Sequence, residues 1–105
     1  MSYRVLIQPT AFREIEASYR WICDNLSAEA ANHWYYELQD ALTSLQKFPN
    51  RCTAAPEAPI IGREIRQLWV GKRRKYRVLF VVEEDVVAVL HVRHSRQSYL
   101  GNESE

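Results

Sequence analysis

The chain has 105 residues, of which 47% are hydrophobic, 11% aromatic and 26% charged, a profile that supports one globular core and excludes a disordered or fibrous protein. With 14 Lys and Arg against 13 Asp and Glu the formal net charge is +1, which as an average argues against a uniformly basic nucleic-acid binder. The longest apolar runs, Val78 to Val82 and Val86 to Leu90, fall far short of the roughly 20 residues a membrane span needs. Residues 1–9 lack an apolar leader segment with a small-residue cleavage site, so a cytoplasmic location without membrane attachment is expected.

Taken in chain order, residues 3–8 read as a short strand of β-branched and aromatic side chains stopped by Pro9. Thr10 is a candidate helix cap, and Phe12, Ile15, Tyr19, Ile22 and Leu26 recur at alternating intervals of 3 and 4, placing five large side chains on one face of a first helix. Ser27 can cap a second helix with Glu29 in its first turn, where Ala31, Trp34, Leu38, Leu42 and Leu45 continue an apolar stripe up to Phe48-Pro49. The short link predicts an antiparallel helical hairpin. Its aromatic residues Trp21, Trp34, Tyr35 and Tyr36 are expected in the core, and His33 at the helix surface or core edge.

Residues 49–62, with Pro49, Pro56, Pro59 and Gly62, read as an ordered loop. The periodicity then changes to 2: strands are predicted over 63–70, 75–82 and 86–94, with Gly71 to Arg74 joining the first two. Gly101 to Glu105 is a polar, acidic tail expected to fray, leaving residues 1–100 as one domain. The order strand, helix, helix, strand, strand, strand predicts a two-layer α+β fold, the helical hairpin covering one face of a mainly antiparallel sheet. Cys23 and Cys52 show neither C-x-x-C nor zinc spacing, so free thiols and no metal or cofactor are expected.

Residues 1–60 carry five basic and seven acidic groups, residues 61–99 nine and four, and the tail two acidic ones. The cations therefore collect on the strands, seven of them between Arg63 and Arg77 against the single Glu64. Such a surface attracts phosphates or an acidic protein. Alternation puts Tyr76, Val78, Phe80 and Val82 on one face, with Val86, Ala88, Leu90 and Val92 beside them, all directed at the helices. A three-residue turn at Glu83 to Asp85 would pair Val82 with Val86, Val78 with Leu90, Arg77 with His91 and Lys75 with Arg93. The opposite face would then stand open, carrying Lys75, Arg77, His91 and Arg93 with no carboxylate among them, and His94, Arg96 and Tyr99 just beyond.

Cleaving RNA without a metal needs a group to deprotonate a 2'-hydroxyl, fixed cations for the transition state and an acid for the leaving oxygen. Arg77 and Arg93 can grip a phosphate with forked donors. His91 or His94 can shuttle a proton, and Tyr99 can stack on a base or donate its hydroxyl. Arg63, Arg66, Lys72, Arg73, Lys75 and Arg96 are the accompanying candidates for binding a substrate or partner. A basic module that binds nucleic acid without toxicity is the alternative, with Trp69 as its stacking group.

The element order, together with Ala41-Leu42-Thr43-Ser44-Leu45-Gln46-Lys47-Phe48-Pro49, Ile65-Arg66-Gln67-Leu68, Tyr76-Arg77-Val78-Leu79-Phe80 and Val89-Leu90-His91-Val92-Arg93-His94-Ser95-Arg96, resembles the RelE/ParE superfamily of toxins from type II toxin-antitoxin modules, also called plasmid stabilisation proteins. The resemblance spans residues 3–97. It implies a growth inhibitor held inactive by a cognate antitoxin that covers its basic surface in a heteromeric complex. RelE-like members cut messenger RNA on the ribosome as metal-independent endonucleases, whereas ParE-like members inhibit DNA gyrase and are not known as nucleases. By this resemblance Arg77 matches an arginine of the nucleases' central strand, while His94 and Tyr99 lie near their C-terminal catalytic region. Ser95 stands about where RelE has a second arginine, and Arg63, Arg66 or Lys72 would replace its lysine pair in charge. The loop 49–62 and the ending V-x-R-H-x-R look closer to the ParE-like branch.

Overall fold

The structure is a computed structural model that describes residues 2–95. Its elements are β1 (Arg4–Ile7), α1 (Pro9–Asn25), α2 (Ala28–Ser44), a 3-10 turn (Pro49–Arg51), the short α3 (Ala58–Ile61), β2 (Arg66–Val70), β3 (Tyr76–Glu83) and β4 (Val86–His94). The four strands form one mixed sheet in the order β1-β4-β3-β2. β1 runs parallel to β4, and the other two pairings are antiparallel.

Local chemistry accounts for the helix ends. α1 begins with Pro9 at its first position and Gln8 as cap; proline suits this place because its fixed φ is helical and the missing N–H would go unpaired anyway. Thr10 is therefore inside the helix rather than its cap. Ser27 caps α2 as expected, its hydroxyl accepting the Ala30 N–H at 2.9 Å. The hairpin closes on the sheet through Ala11, Ile15, Ile22, Ala31, Trp34, Leu38, Leu42 and Leu45, which meet Val78, Phe80, Val87, Val89 and Val92. Phe12 and Leu26 are exposed, as are Trp21, Tyr35 and Tyr36, so of the four helical aromatics assigned to the core only Trp34 is buried there.

The register differs from the predicted one in an informative way. β3 and β4 turn through two residues, Glu84 and Asp85, so that Glu83 faces Val86, Val82 faces Val87 and Phe80 faces Val89. Glu84 takes the left-handed conformation this tight turn uses, with φ 56°. A bulge then skips Leu90: Leu79 faces His91, Val78 faces Val92, Arg77 faces Arg93 and Tyr76 faces His94. One extra residue reverses the alternation of a strand. Val87 and Val89 thus point at the helices before the bulge and Val92 after it, while Ala88 and Leu90 face the far side with Leu79 and Val81.

That far side is not open. Ala55, Ala58 and Ile65 pack on Leu79, Val81 and Ala88 as a second, smaller core. The covering segment hangs on β2 through the Ala55 N–H to the Ile65 carbonyl (2.8 Å) and the Gln67 N–H to the Thr53 carbonyl (2.9 Å). Loop 49–62 is thus a third, partial layer containing a 3-10 turn and α3, built of side chains small enough to lie flat on the sheet.

At the start of the β2–β3 connection Gly71 has φ 71°, and a Cβ there would stand 2.8 Å from the Glu37 carboxylate of α2. Gly71→Ala is expected to destabilise the protein by about 1 kcal/mol, mostly through the left-handed backbone since the carboxylate can swing away. Urea unfolding measures this, and an unchanged midpoint would show that the turn relaxes freely.

Candidate functional site

The predicted site residues separate into four places. The first is a cleft of about 1200 Å³ between the helical hairpin and the β2–β3 connection. Lys72, Arg73 and Lys75 of the predicted set, with Arg74, form its exposed rim. The Arg74 guanidinium lies 5.7 Å from the centre of the Trp69 ring, a cation–π distance. Its floor is aromatic: Trp34 meets Tyr76 at 5.1 Å between ring centres, and Tyr76 meets His94 edge-to-face at 4.9 Å. Burial pushes the Tyr76 phenol above its ordinary range, against a smaller opposing effect of a hydrogen bond with Ser18, so it stands in the cleft as a neutral hydroxyl. Glu37 and Asp40 of α2 also line the cleft, the Glu37 carboxylate lying against Gly71 at the head of the cationic run.

Arg77 occupies the second place, on the covered side of the sheet. It is only 3% exposed and is held by Glu57, itself fully buried. Its two terminal nitrogens donate to the two Glu57 carboxylate oxygens at 3.0 and 2.6 Å, and one of them also donates to Gln67 Oε1 at 2.9 Å. The forked guanidinium that would grip a phosphate is thus spent on an internal carboxylate. This corrects the expectation of an open face carrying Arg77 without a carboxylate.

The third place is the edge of β4 beyond the end of β1. Here Glu14 of α1 fills the position of a missing strand, accepting the Val92 backbone N–H at 2.9 Å. Its carboxylate oxygens lie 3.2 Å from His91 Nδ1, and one lies 3.9 Å from Arg93. His91 and Arg93 therefore lie beside a carboxylate, not on a face free of negative charge.

Arg66 and Arg63 make up the fourth. Arg66 donates to the carbonyls of Asn50 (3.2 Å) and Cys52 (2.7 Å), tying the loop to β2. Arg63 lies 4.0 Å from Glu83 at the surface. Cys52 beneath this loop is buried, which pushes its thiol above the ordinary range although Arg51 and Arg66 pull it down; it is not poised as a thiolate. Tyr99 and Arg96 lie outside the described residues. His33 is a surface residue, 3.6 Å from Glu37 one turn on.

Sequence reasoning passed over Glu57 and Glu14, and placed Trp34 in the core without its place on the cleft. Glu57 had one signal: it is the single acid in a run of small apolar residues, Ala54-Ala55-Pro56-Glu57-Ala58, where a charge must find a partner if the run is buried. Among the described residues no group of three His, Cys, Asp or Glu is placed to hold a metal ion. Nor is any helix there long and apolar enough to cross a membrane.

A helical hairpin on one face of this four-stranded sheet, with the connections and strand order given above, is the architecture of the RelE/ParE superfamily of toxins. A family model described as the ParE toxin of the type II toxin-antitoxin system parDE matches residues 5–99, and the chain belongs to that family. Among solved structures the chain is similar in fold to one described as a chromosomal ParDE toxin-antitoxin system from P. aeruginosa. The TM-score is 0.73 at 18% identity, covering 89% of this chain and 96% of the other. No curated protein matches the chain.

Proposed function

We propose that this toxin arrests growth by binding DNA gyrase, as a protein ligand and not as a ribonuclease, and that a cognate antitoxin neutralises it. The observation that carries this reading is the burial of Arg77 against Glu57. A metal-free ribonuclease needs fixed cations at the scissile phosphate with acid–base groups beside them. Here the best phosphate-gripping side chain is neutralised inside the fold, and a second carboxylate, Glu14, stands beside His91 and Arg93. What remains outward is a large cleft with an aromatic floor and charged rims, features suited to a protein surface. Membership in the ParE family supports the same choice.

Two assays on the purified chain test it. In a gyrase supercoiling reaction, added toxin is expected to inhibit; in a translating extract, messages are expected to stay intact. Codon-spaced cuts in the messages with supercoiling unaffected would overturn the proposal and restore the endonuclease reading.

A further inference from the structure

We infer that Phe48 is the apolar anchor by which the toxin seats on gyrase, its ring entering a hydrophobic pocket bordered by acidic side chains. The inference rests on the gyrase reading above, and it adds a contact residue and the chemistry that receives it.

Phe48 stands just past the end of α2 and directly before Pro49, in a stretch, residues 41–56, that holds two cations, Lys47 and Arg51, and no acid. Three features set it apart from a residue kept for packing. Its side chain is 74% exposed, more than any other large hydrophobic among the described residues, so the ring adds little to the core. Its backbone has φ 52° and ψ 49°, the left-handed region that glycine and asparagine enter readily and a bulky side chain does not. A proline follows, which disfavours helical conformations of the residue before it. A turn of this hand after a helix ordinarily carries Gly or Asn.

The fold nonetheless braces the conformation from several sides. The Arg51 guanidinium donates to the carbonyls of Lys47 (3.2 Å) and Phe48 (3.1 Å) and to the Ser44 hydroxyl (3.2 Å). The Arg51 backbone N–H also donates to the Phe48 carbonyl at 3.1 Å, and the Tyr3 N–H to the Gln46 carbonyl at 2.9 Å. Pro49 is buried. Backbone strain held in place by its surroundings gathers at functional sites. An aromatic ring presented on a rigid turn gives up little freedom on binding, which favours it as an anchor.

Charge and position select the occupant. Lys47 and Arg51 lie on either side of Phe48 in the chain and both are exposed; neither is ion-paired among the described residues. A pocket edged with Asp or Glu complements them. Ser44, to which Arg51 is tied, lines the cleft that the gyrase reading turns toward a protein, so the anchor continues that surface.

The test compares the full-length toxin with Phe48→Asn, Phe48→Tyr and Lys47→Gln, in a gyrase supercoiling reaction and in urea unfolding. Phe48→Asn relieves the backbone, so its urea midpoint is expected to equal or exceed that of the unsubstituted toxin. The concentration it needs for half-inhibition is expected to rise on the order of 30-fold, the loss of one anchor residue. Phe48→Tyr restores an aromatic ring and is expected to keep most of the inhibition, while Lys47→Gln weakens it and flattens its salt dependence. A protein that is no less stable yet inhibits less cannot be explained by loss of folding. Full inhibition by Phe48→Asn, or a lowered urea midpoint showing that the ring is packed in the fold, overturns the inference and leaves the gyrase reading standing. An equal loss of affinity for the co-purified protein of the neighbouring small reading frame would assign Phe48 to that partner, with the same consequence. An unsubstituted toxin that does not inhibit gyrase overturns both.

Discussion

Glu57→Ala is expected to destabilise the fold by about 3–5 kcal/mol, because it leaves the Arg77 guanidinium buried without its counter-charge. The loss would be a large fraction of the roughly 5–15 kcal/mol that holds a domain of this kind together. Gln67 Oε1 stays within reach at 2.9 Å, but one neutral acceptor does not replace a bidentate carboxylate. Glu57→Gln keeps the shape and removes the charge, so an intermediate loss is expected. The double replacement of Glu57 by Leu and Arg77 by Met should recover much of the stability, since exchanging a whole buried ion pair for apolar groups is often neutral or better. Urea unfolding of the three proteins gives the answer. If Glu57→Ala costs under 1 kcal/mol, the ion pair contributes little and residues 52–65 are held by Ala55, Ile65, the Arg66 guanidinium and the backbone bonds.

The same pair of residues shows how far sequence reasoning reaches. Alternation along β3 correctly set Arg77 and Arg93 on the face away from the helices, where the structure pairs them directly. The further step, that this face is open, failed because a loop rich in Pro and Ala also packs. Periodicity describes the elements that carry it and is silent about an irregular segment, whose burial depends on small side chains and a few backbone bonds. In the helices the signal was stronger: Ser27 as cap and the stripe Ala31, Trp34, Leu38, Leu42 and Leu45 are all where the pattern put them. Phe12 and Leu26 fit the same pattern yet face solvent, the one in the first turn of α1 and the other its C-cap.

The candidate site was legible in composition and illegible in arrangement. A run of four cations beside Gly71 is plain in the sequence, and the structure sets it on a cleft rim. That Glu37 and Asp40 line the same cleft depends on how α2 crosses the sheet, which no local pattern encodes. The net charge of +1 hid a division between strands and helices, and the fold brings cations of the one and carboxylates of the other together along a single cleft. His91 illustrates the other limit. In the expected register it sat beside Arg77; in the structure it stands by Glu14, a residue 77 positions away in the chain.

Phe80→Ala is expected to cost about 3–5 kcal/mol, whereas Leu90→Ala should cost well under half as much, since the penalty follows burial and the cavity left behind. Phe80 is fully buried between the sheet and the helices, packed in the larger core. Leu90 is the residue the bulge skips, partly exposed on the far face against the smaller core. The comparison probes the register itself. A regular hairpin closed by a three-residue turn would aim Leu90 at the helices beside Val78, and its loss would then rival that of Phe80. A two-residue turn without a bulge would instead drive His91 into that core, burying an imidazole among Val78, Val89 and Val92 at a cost of several kcal/mol unless it found a partner. The bulge resolves the conflict: it lets the tight Glu84-Asp85 turn stand, returns Val92 to the core and carries His91 out to Glu14. Near-equal losses for the two variants in urea unfolding would mean that the alternation runs unbroken through Leu90.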